Sequence, residues 1–161
     1  MRTRSHTAQD TENLGWQLAC AHAAGDDALA VLYLQGQLGT GKTTFARGFA
    51  RALGVTAPVR SPTYTLIELY PAGAITLLHV DLYRLADPAE LESLGLREWA
   101  RPGHLWLIEW PEKGGGRLPQ ADLVLNFELG EFGHDIAVGA RTALGEHWLS
   151  RLTGEERAVP G

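Results

Sequence analysis

The sequence predicts one α/β domain in which a mixed, partly parallel central sheet is flanked by helices. Apolar runs of strand length alternate with segments of helical periodicity, the order that builds sheets covered on both faces. At 161 residues the chain has room for one domain with one core. Its apolar fraction of 45% and charged fraction of 20% are those of an ordinary globular protein. Residues 1–152 are read as that domain, and 153–161 as a tail that frays.

The elements follow in order. Thr7 to Asp10 has the form of a helix cap with an acidic residue three positions on. Leu14, Leu18, Ala21 and His22 then recur at helical spacing toward Gly25, so a helix is predicted over roughly 8–24. Ala28 to Leu34 is a continuous apolar run, the mark of a strand buried on both faces. Lys42 to Leu53 reads as a helix with Phe45, Ala46, Phe49, Ala50 and Leu53 on one face and Gly54 at its stop. Leu66–Tyr70 and Ile75–Asp81 form a hairpin pattern joined through residues 71–74. Asp87 and Pro88 open a short helix as cap and first residue. Leu105–Glu109 is another buried strand, after which Pro111 and Gly114 to Gly116 break the chain into a mobile loop. Leu123–Phe127 and Asp135–Val138 read as late strands at the sheet edge, and Ala143–Leu152 as a last helix.

Bulk properties exclude several classes. The net charge of −5 and the lack of a Lys/Arg cluster argue against a protein that grips nucleic acid by itself. No apolar run approaches the roughly 20 residues that span a bilayer, and the polar N-terminus lacks the apolar stretch of a secretory signal. The single Cys20 has no partner for an internal disulfide, which fits a reducing cytoplasm. The six histidines are scattered without zinc-ligand spacing, so no structural zinc is expected.

The strongest chemical signal is Gly36-Gln-Leu-Gly-Thr-Gly-Lys42-Thr43, which matches the phosphate-loop pattern G-x-x-x-x-G-K-[ST] without exception. Glycines at 36, 39 and 41 let the amides of the Leu38 to Thr40 stretch turn inward on an anion. The helix that starts near Lys42 aims its unpaired amides and positive dipole end at the same place. Lys42 is expected to bridge β- and γ-phosphates, Thr43 to ligate Mg²⁺, and Thr44 to reach the α-phosphate. The segment also lies between a predicted buried strand and a predicted amphipathic helix, the context that the motif requires.

Such a site needs an acid at the end of a second buried strand to position the metal. Glu109 ends one such run and Asp81 ends another, and the residues alone leave their roles open. One would serve the metal shell, the other the attacking water or the γ-phosphate. On an extended strand His79 and Asp81 share a face and Val80 takes the other; a lone histidine there reads as a satisfied structural group. Arg84 is a candidate for phosphate charge and equally for an ion pair with Asp81 or Glu90. Ser61 to Thr65 carries three hydroxyls, either as a γ-phosphate switch or as plain turn chemistry.

Taken together these segments resemble the TsaE (YjeE) family, the bacterial ATPase subunit of tRNA threonylcarbamoyladenosine biosynthesis. The resemblance rests on Thr11-Glu-Asn-Leu-Gly15, the Gly36–Thr44 loop, Arg47-Gly48, Ser61-Pro-Thr-Tyr-Thr-Leu66, His79-Val-Asp-Leu-Tyr-Arg-Leu85, Leu94-Gly-Leu96 and Leu107-Ile-Glu-Trp-Pro-Glu112, within residues 7–140. It implies the P-loop NTPase fold, with ATP and Mg²⁺ as the cofactors. It further implies that Thr43 and Glu109 hold Mg²⁺, that Asp81 is needed for hydrolysis, and that 61–65 is a switch-like loop. Closure of the site by the N-terminal helix region and a late loop maps loosely onto residues 7–11, with Thr11, and onto Gly133. The implied role is accessory. ATP hydrolysis, slow in the chain alone, would reset a complex of two related partner subunits that transfers the threonylcarbamoyl group to adenosine 37 of tRNAs, with tRNA contacted through those partners. Gln37 and Thr40 depart from the usual loop, at variable positions, and Arg141–Gly161 has little to match.

Two other readings compete. A small-metabolite kinase would need an arginine-bearing lid, for which Arg97, Arg101 and Arg117 are the candidates. A nucleotide-gated assembly module would need binding without essential turnover. ATP rather than GTP is what the family resemblance implies; the Asn/Thr-Lys-x-Asp guanine reader that a GTPase normally carries does not occur in the sequence.

Overall fold

The computed structural model describes residues 1–22 and 28–154. Seven strands and three α-helices appear in it: β1 (Arg2–Ser5), α1 (Ala8–Ala21), β2 (Ala30–Gly36), α2 (Lys42–Ala52), β3 (Ile67–Ala72), β4 (Ile75–Asp81), β5 (His104–Glu109), β6 (Leu123–Gly130), β7 (Gly133–Ala140) and α3 (Ala143–Thr153). The strands form one sheet in the order β1-β7-β6-β2-β5-β4-β3. β2 pairs in parallel with both β5 and β6, and β4 pairs in parallel with β5. The β3–β4, β6–β7 and β1–β7 pairs are antiparallel, so the sheet is mixed, as expected.

Alternation along the strands sorts two apolar layers. Leu32, Leu34, Leu77 and Leu107 face α1, α2 and α3, meeting Leu18, Phe45, Phe49 and Trp148. Val31, Leu78, Val80, Trp106 and Ile108 face the other way, under Leu85, Leu91 and Leu96. Helix α1 starts on the capping box read from Thr7 and Asp10. Asp87 caps a 3-10 segment, Pro88–Leu94, with Pro88 at its start as expected.

The structure differs from the sequence expectations in these places. β1 has no signature in the sequence because Arg2-Thr-Arg-Ser has no apolar alternation; its strand form comes from pairing with β7, and such polar strands suit a sheet edge. β6 therefore lies inside the sheet between β2 and β7, and β7 is covered by β1. The mobile loop expected after Pro111 is instead a run of 3-10 turns, Pro111–Arg117, with Pro111 and Gly114 buried. Gly115, at φ 57°, supplies the kink between those turns. Finally, α1 ends at Ala21 and α3 continues through Thr153. The rest of the first helix's predicted end and the tail beyond 154 lie outside the described residues.

Candidate functional site

The parallel strands β2, β5 and β4 end side by side at Gly36, Glu109 and Asp81. Outside such carboxyl ends an α/β sheet leaves a crevice. Here it is a cleft of about 510 Å³, lined by the loop after β2, the start of α2, both acids, Ser61 and Thr63. The backbone dictates glycine at two of the loop positions. At Gly36, φ is 149° and a Cβ would lie 2.4 Å from the Phe127 carbonyl oxygen. At Gly41, φ is 96°, a left-handed value at the entry to α2, and no side chain caps that helix. The first helical amides are left for whatever occupies the cleft.

The side chains converge. Thr43 donates its hydroxyl to Glu109, 3.0 Å from Oε1 and 3.3 Å from Oε2. Glu109 is 3% exposed, so this carboxylate is buried and already oriented. Asp81 accepts from the Tyr83 amide at 2.9 Å on Oδ1 and from the Ser61 hydroxyl on Oδ2. Lys42 folds back on its own loop, its Nζ donating to the carbonyls of Gly36 at 2.6 Å and Gln37 at 2.8 Å. The same ammonium lies 4.6 Å from the Trp110 ring centroid. Burial pushes the Lys42 ammonium below its ordinary value; Glu109, Asp81 and Glu112 pull the other way.

Among the described residues, two non-glycine residues hold left-handed backbone, and each adjoins one of the acids. Trp110, at φ 58°, follows Glu109 directly. Leu66, at φ 62°, accepts the Asp81 amide on its carbonyl at 2.9 Å. Such conformations persist only where surroundings over-determine them, and they gather at sites where geometry matters. Trp110 is held by its amide on the Leu34 carbonyl and by a tilted ring contact with Tyr83 at 5.0 Å.

Of the residues singled out by sequence, Leu38, Gly39, Gly41, Lys42, Thr43, Thr44, Thr11, Asp81 and Glu109 line this cleft. Gly36 and Thr40 instead shape the loop from behind: Thr40 is buried and donates to the Gln37 carbonyl at 2.7 Å. Thr11, on α1, packs toward Gly41, and its hydroxyl shares a 2.6 Å hydrogen bond with Ser5. Gly133 lies against the backbone of Ser5 and His6, and the neighbouring His134 reaches the cleft. Arg84 lines the cleft with its guanidinium 5.2 Å from the Tyr64 ring; among the described residues it pairs with neither Asp81 nor Glu90. Arg97 and Arg117 both engage Glu92, and Arg101 lies over Trp99, so none of the lid candidates faces the cleft.

Sequence reasoning gave no cleft role to Trp110, Tyr83 or His134. The first two sit inside quoted motifs, where their neighbours to the two acids were a usable signal. His134 comes from β7, remote in sequence, and only the sheet brings it near Gly41.

Comparison with known proteins bears on the family and the fold. Residues 5–135 match the family model described as threonylcarbamoyl adenosine biosynthesis protein TsaE. The tRNA threonylcarbamoyladenosine biosynthesis protein TsaE of Haemophilus influenzae is 45% identical over 123 residues, 76% of this chain and 78% of that one. The protein of the same name from Bacillus subtilis is 40% identical over 123 residues, covering 76% and 74%. The crystal structure of Bacillus subtilis YdiB superposes with a TM-score of 0.77 at 29% identity, over 98% of this chain and 96% of that chain. A family model spanning most of the sequence, relatives at 35–45% identity and a shared fold lead to one conclusion: the chain belongs to the TsaE family of threonylcarbamoyl adenosine biosynthesis proteins.

Proposed function

We propose that the chain binds ATP with Mg²⁺ in this cleft, hydrolyses it, and thereby serves threonylcarbamoyl modification of adenosine 37 in tRNA by acting on a complex of two related partner subunits. The observation that carries the proposal is the convergence of Thr43, Glu109 and Asp81 at one helix N-terminus whose amides have no side-chain cap. The residues fit the metal. A buried carboxylate and a hydroxyl form a sparse set of hard oxygen donors, the ligation Mg²⁺ takes when phosphates and waters complete its shell. When bound, the ion would neutralise charge on the phosphate oxygens.

The chain's own groups divide the remaining work. The amides of the Gly36–Thr43 loop and of the first turn of α2 would receive phosphate oxygens. Lys42 would leave the Gly36 and Gln37 carbonyls to meet the β- and γ-phosphates. Asp81, held on both oxygens, would accept a hydrogen bond from the attacking water and orient it. The Ser61 contact ties the 61–65 loop to that carboxylate, so the loop's position and the acid's would change together. The acidic net charge fits a protein that reaches tRNA through partners.

The test measures Mg²⁺-dependent phosphate release and nucleotide affinity for the unaltered chain, Asp81→Asn and Glu109→Gln, with and without the partner pair. Asp81→Asn is expected to bind ATP normally while losing about 10² or more in turnover, and partners are expected to raise the unaltered rate. Equal turnover in all three proteins would overturn hydrolysis at this site. A phosphorylated small molecule accounting for the ATP consumed would install the kinase instead, and full tRNA modification by Asp81→Asn would install the nucleotide gate.

A further inference from the structure

Glu109 is held by a second group besides Thr43. His79, from β4, has its Nε2 2.8 Å from Oε1 of Glu109, the same oxygen that the Thr43 hydroxyl approaches at 3.0 Å. The imidazole is fully buried and the carboxylate nearly so. The register explains how they meet. β4 and β5 run parallel with Asp81 opposite Glu109 and His79 opposite Leu107, so His79 and Glu109 share a face one pleat apart.

The hydrogen-bond arithmetic is uneven. An ionised carboxylate only accepts, so the contact puts the imidazole proton on Nε2. Nδ1 is buried, and among the described residues it has no partner. Leaving a buried polar atom unmatched forfeits its hydration with nothing in return. A histidine serving only the core would be cheaper as leucine, the residue at both Leu77 and Leu78 on the same strand. The Glu109 contact is what the molecule gains from an imidazole at this position. Groups that hydrogen-bond a metal-binding carboxylate fix its rotamer and its free lone pairs. Here Oε1 is engaged from two directions, while among the described residues Oε2 has only the longer 3.3 Å approach of Thr43.

We propose that His79 is a positioning residue, which orients Glu109 so that the carboxylate presents its remaining lone pairs to a divalent cation beside Thr43. The inference rests on the reading of the cleft as a Mg²⁺–nucleotide site. It assigns His79 no contact with nucleotide and no share in proton transfer.

The experiment titrates Mg²⁺ against a fluorescent ATP analogue held at fixed concentration, and repeats the binding in EDTA. It compares the unaltered chain with His79→Leu, His79→Gln, Glu109→Gln and the double variant His79→Leu/Glu109→Gln. His79→Leu is expected to raise the Mg²⁺ concentration at half-effect by about 10–100-fold while EDTA affinity stays unchanged. His79→Gln, whose side-chain amide still donates, is expected to restore most of that loss. On the Glu109→Gln background the leucine should add little, since both changes act through one carboxylate. An unchanged Mg²⁺ midpoint in His79→Leu would overturn the assignment. So would equal loss of EDTA affinity in the leucine and glutamine variants, the mark of a histidine needed only for folding. If the unaltered chain binds the analogue no better with Mg²⁺ than in EDTA, the cleft reading itself falls, a result distinct from either of these.

Discussion

Lys42 shows how one residue's surroundings set a measurable dependence. Burial lowers its pKa from 10.5, against the pull of Glu109, Asp81 and Glu112. A bound polyphosphate would raise it again, because the anion favours the ammonium form. Nucleotide affinity is therefore expected to be full below the lysine's lowered value in the free protein and to fall as pH rises through it, earlier than an unperturbed lysine would allow. An affinity–pH profile by titration calorimetry checks this, and Lys42→Ala should flatten it. The free fold carries the opposite sign. An ammonium made unfavourable by burial is a stability cost below the lowered pKa, relieved as pH climbs toward 10.5. Most of the chemistry at this scale was readable in advance, since Lys42, Thr43, Glu109 and Asp81 occupy motif positions. The partners were not: that Lys42 rests on its own loop carbonyls and that Ser61 holds Asp81 depend on rotamers, which spacing does not encode.

The elements place these residues through a close contact of α1 with α2. A Cβ at Gly48 would lie 2.0 Å from the Glu12 carbonyl oxygen, and one at Gly15 2.2 Å from that of Phe45. Both obstacles are backbone, so the helices would have to separate. Gly48→Ala is expected to destabilise the fold by about 1–3 kcal/mol, read as a lower denaturant midpoint at unchanged slope. Because α1 also carries Thr11 over Gly41, nucleotide affinity should weaken in the same variant. A wild-type midpoint would show that the helix pair has slack this geometry denies. The elements themselves were largely legible: β2, α2, β4, β5 and α3 fall close to their predicted spans, because each has a strong period or a buried apolar run. The polar β1 and the glycine-bearing 3-10 turns were not, because neighbours rather than local preference hold them in shape.

For the molecule as a whole, a ligand that binds only the folded state adds stability by mass action. Mg²⁺–ATP at a hundred times its Kd should add about 2.7 kcal/mol and raise Tm by roughly 5–10 °C. Thermal melts with and without nucleotide check this, and no shift at saturating ligand would sink the cleft as a nucleotide site. The sequence by itself determined the fold class, the phosphate-loop pattern and the two candidate acids, since periodicity and contiguous motifs are properties of neighbours along the chain. The tertiary structure alone decided which groups meet: His79 and Thr43 on one oxygen of Glu109, Ser61 on Asp81, and His134 beside Gly41. Those contacts join strands and helices far apart in sequence, and strand order and register, set by packing of the whole sheet, bring them within hydrogen-bond reach.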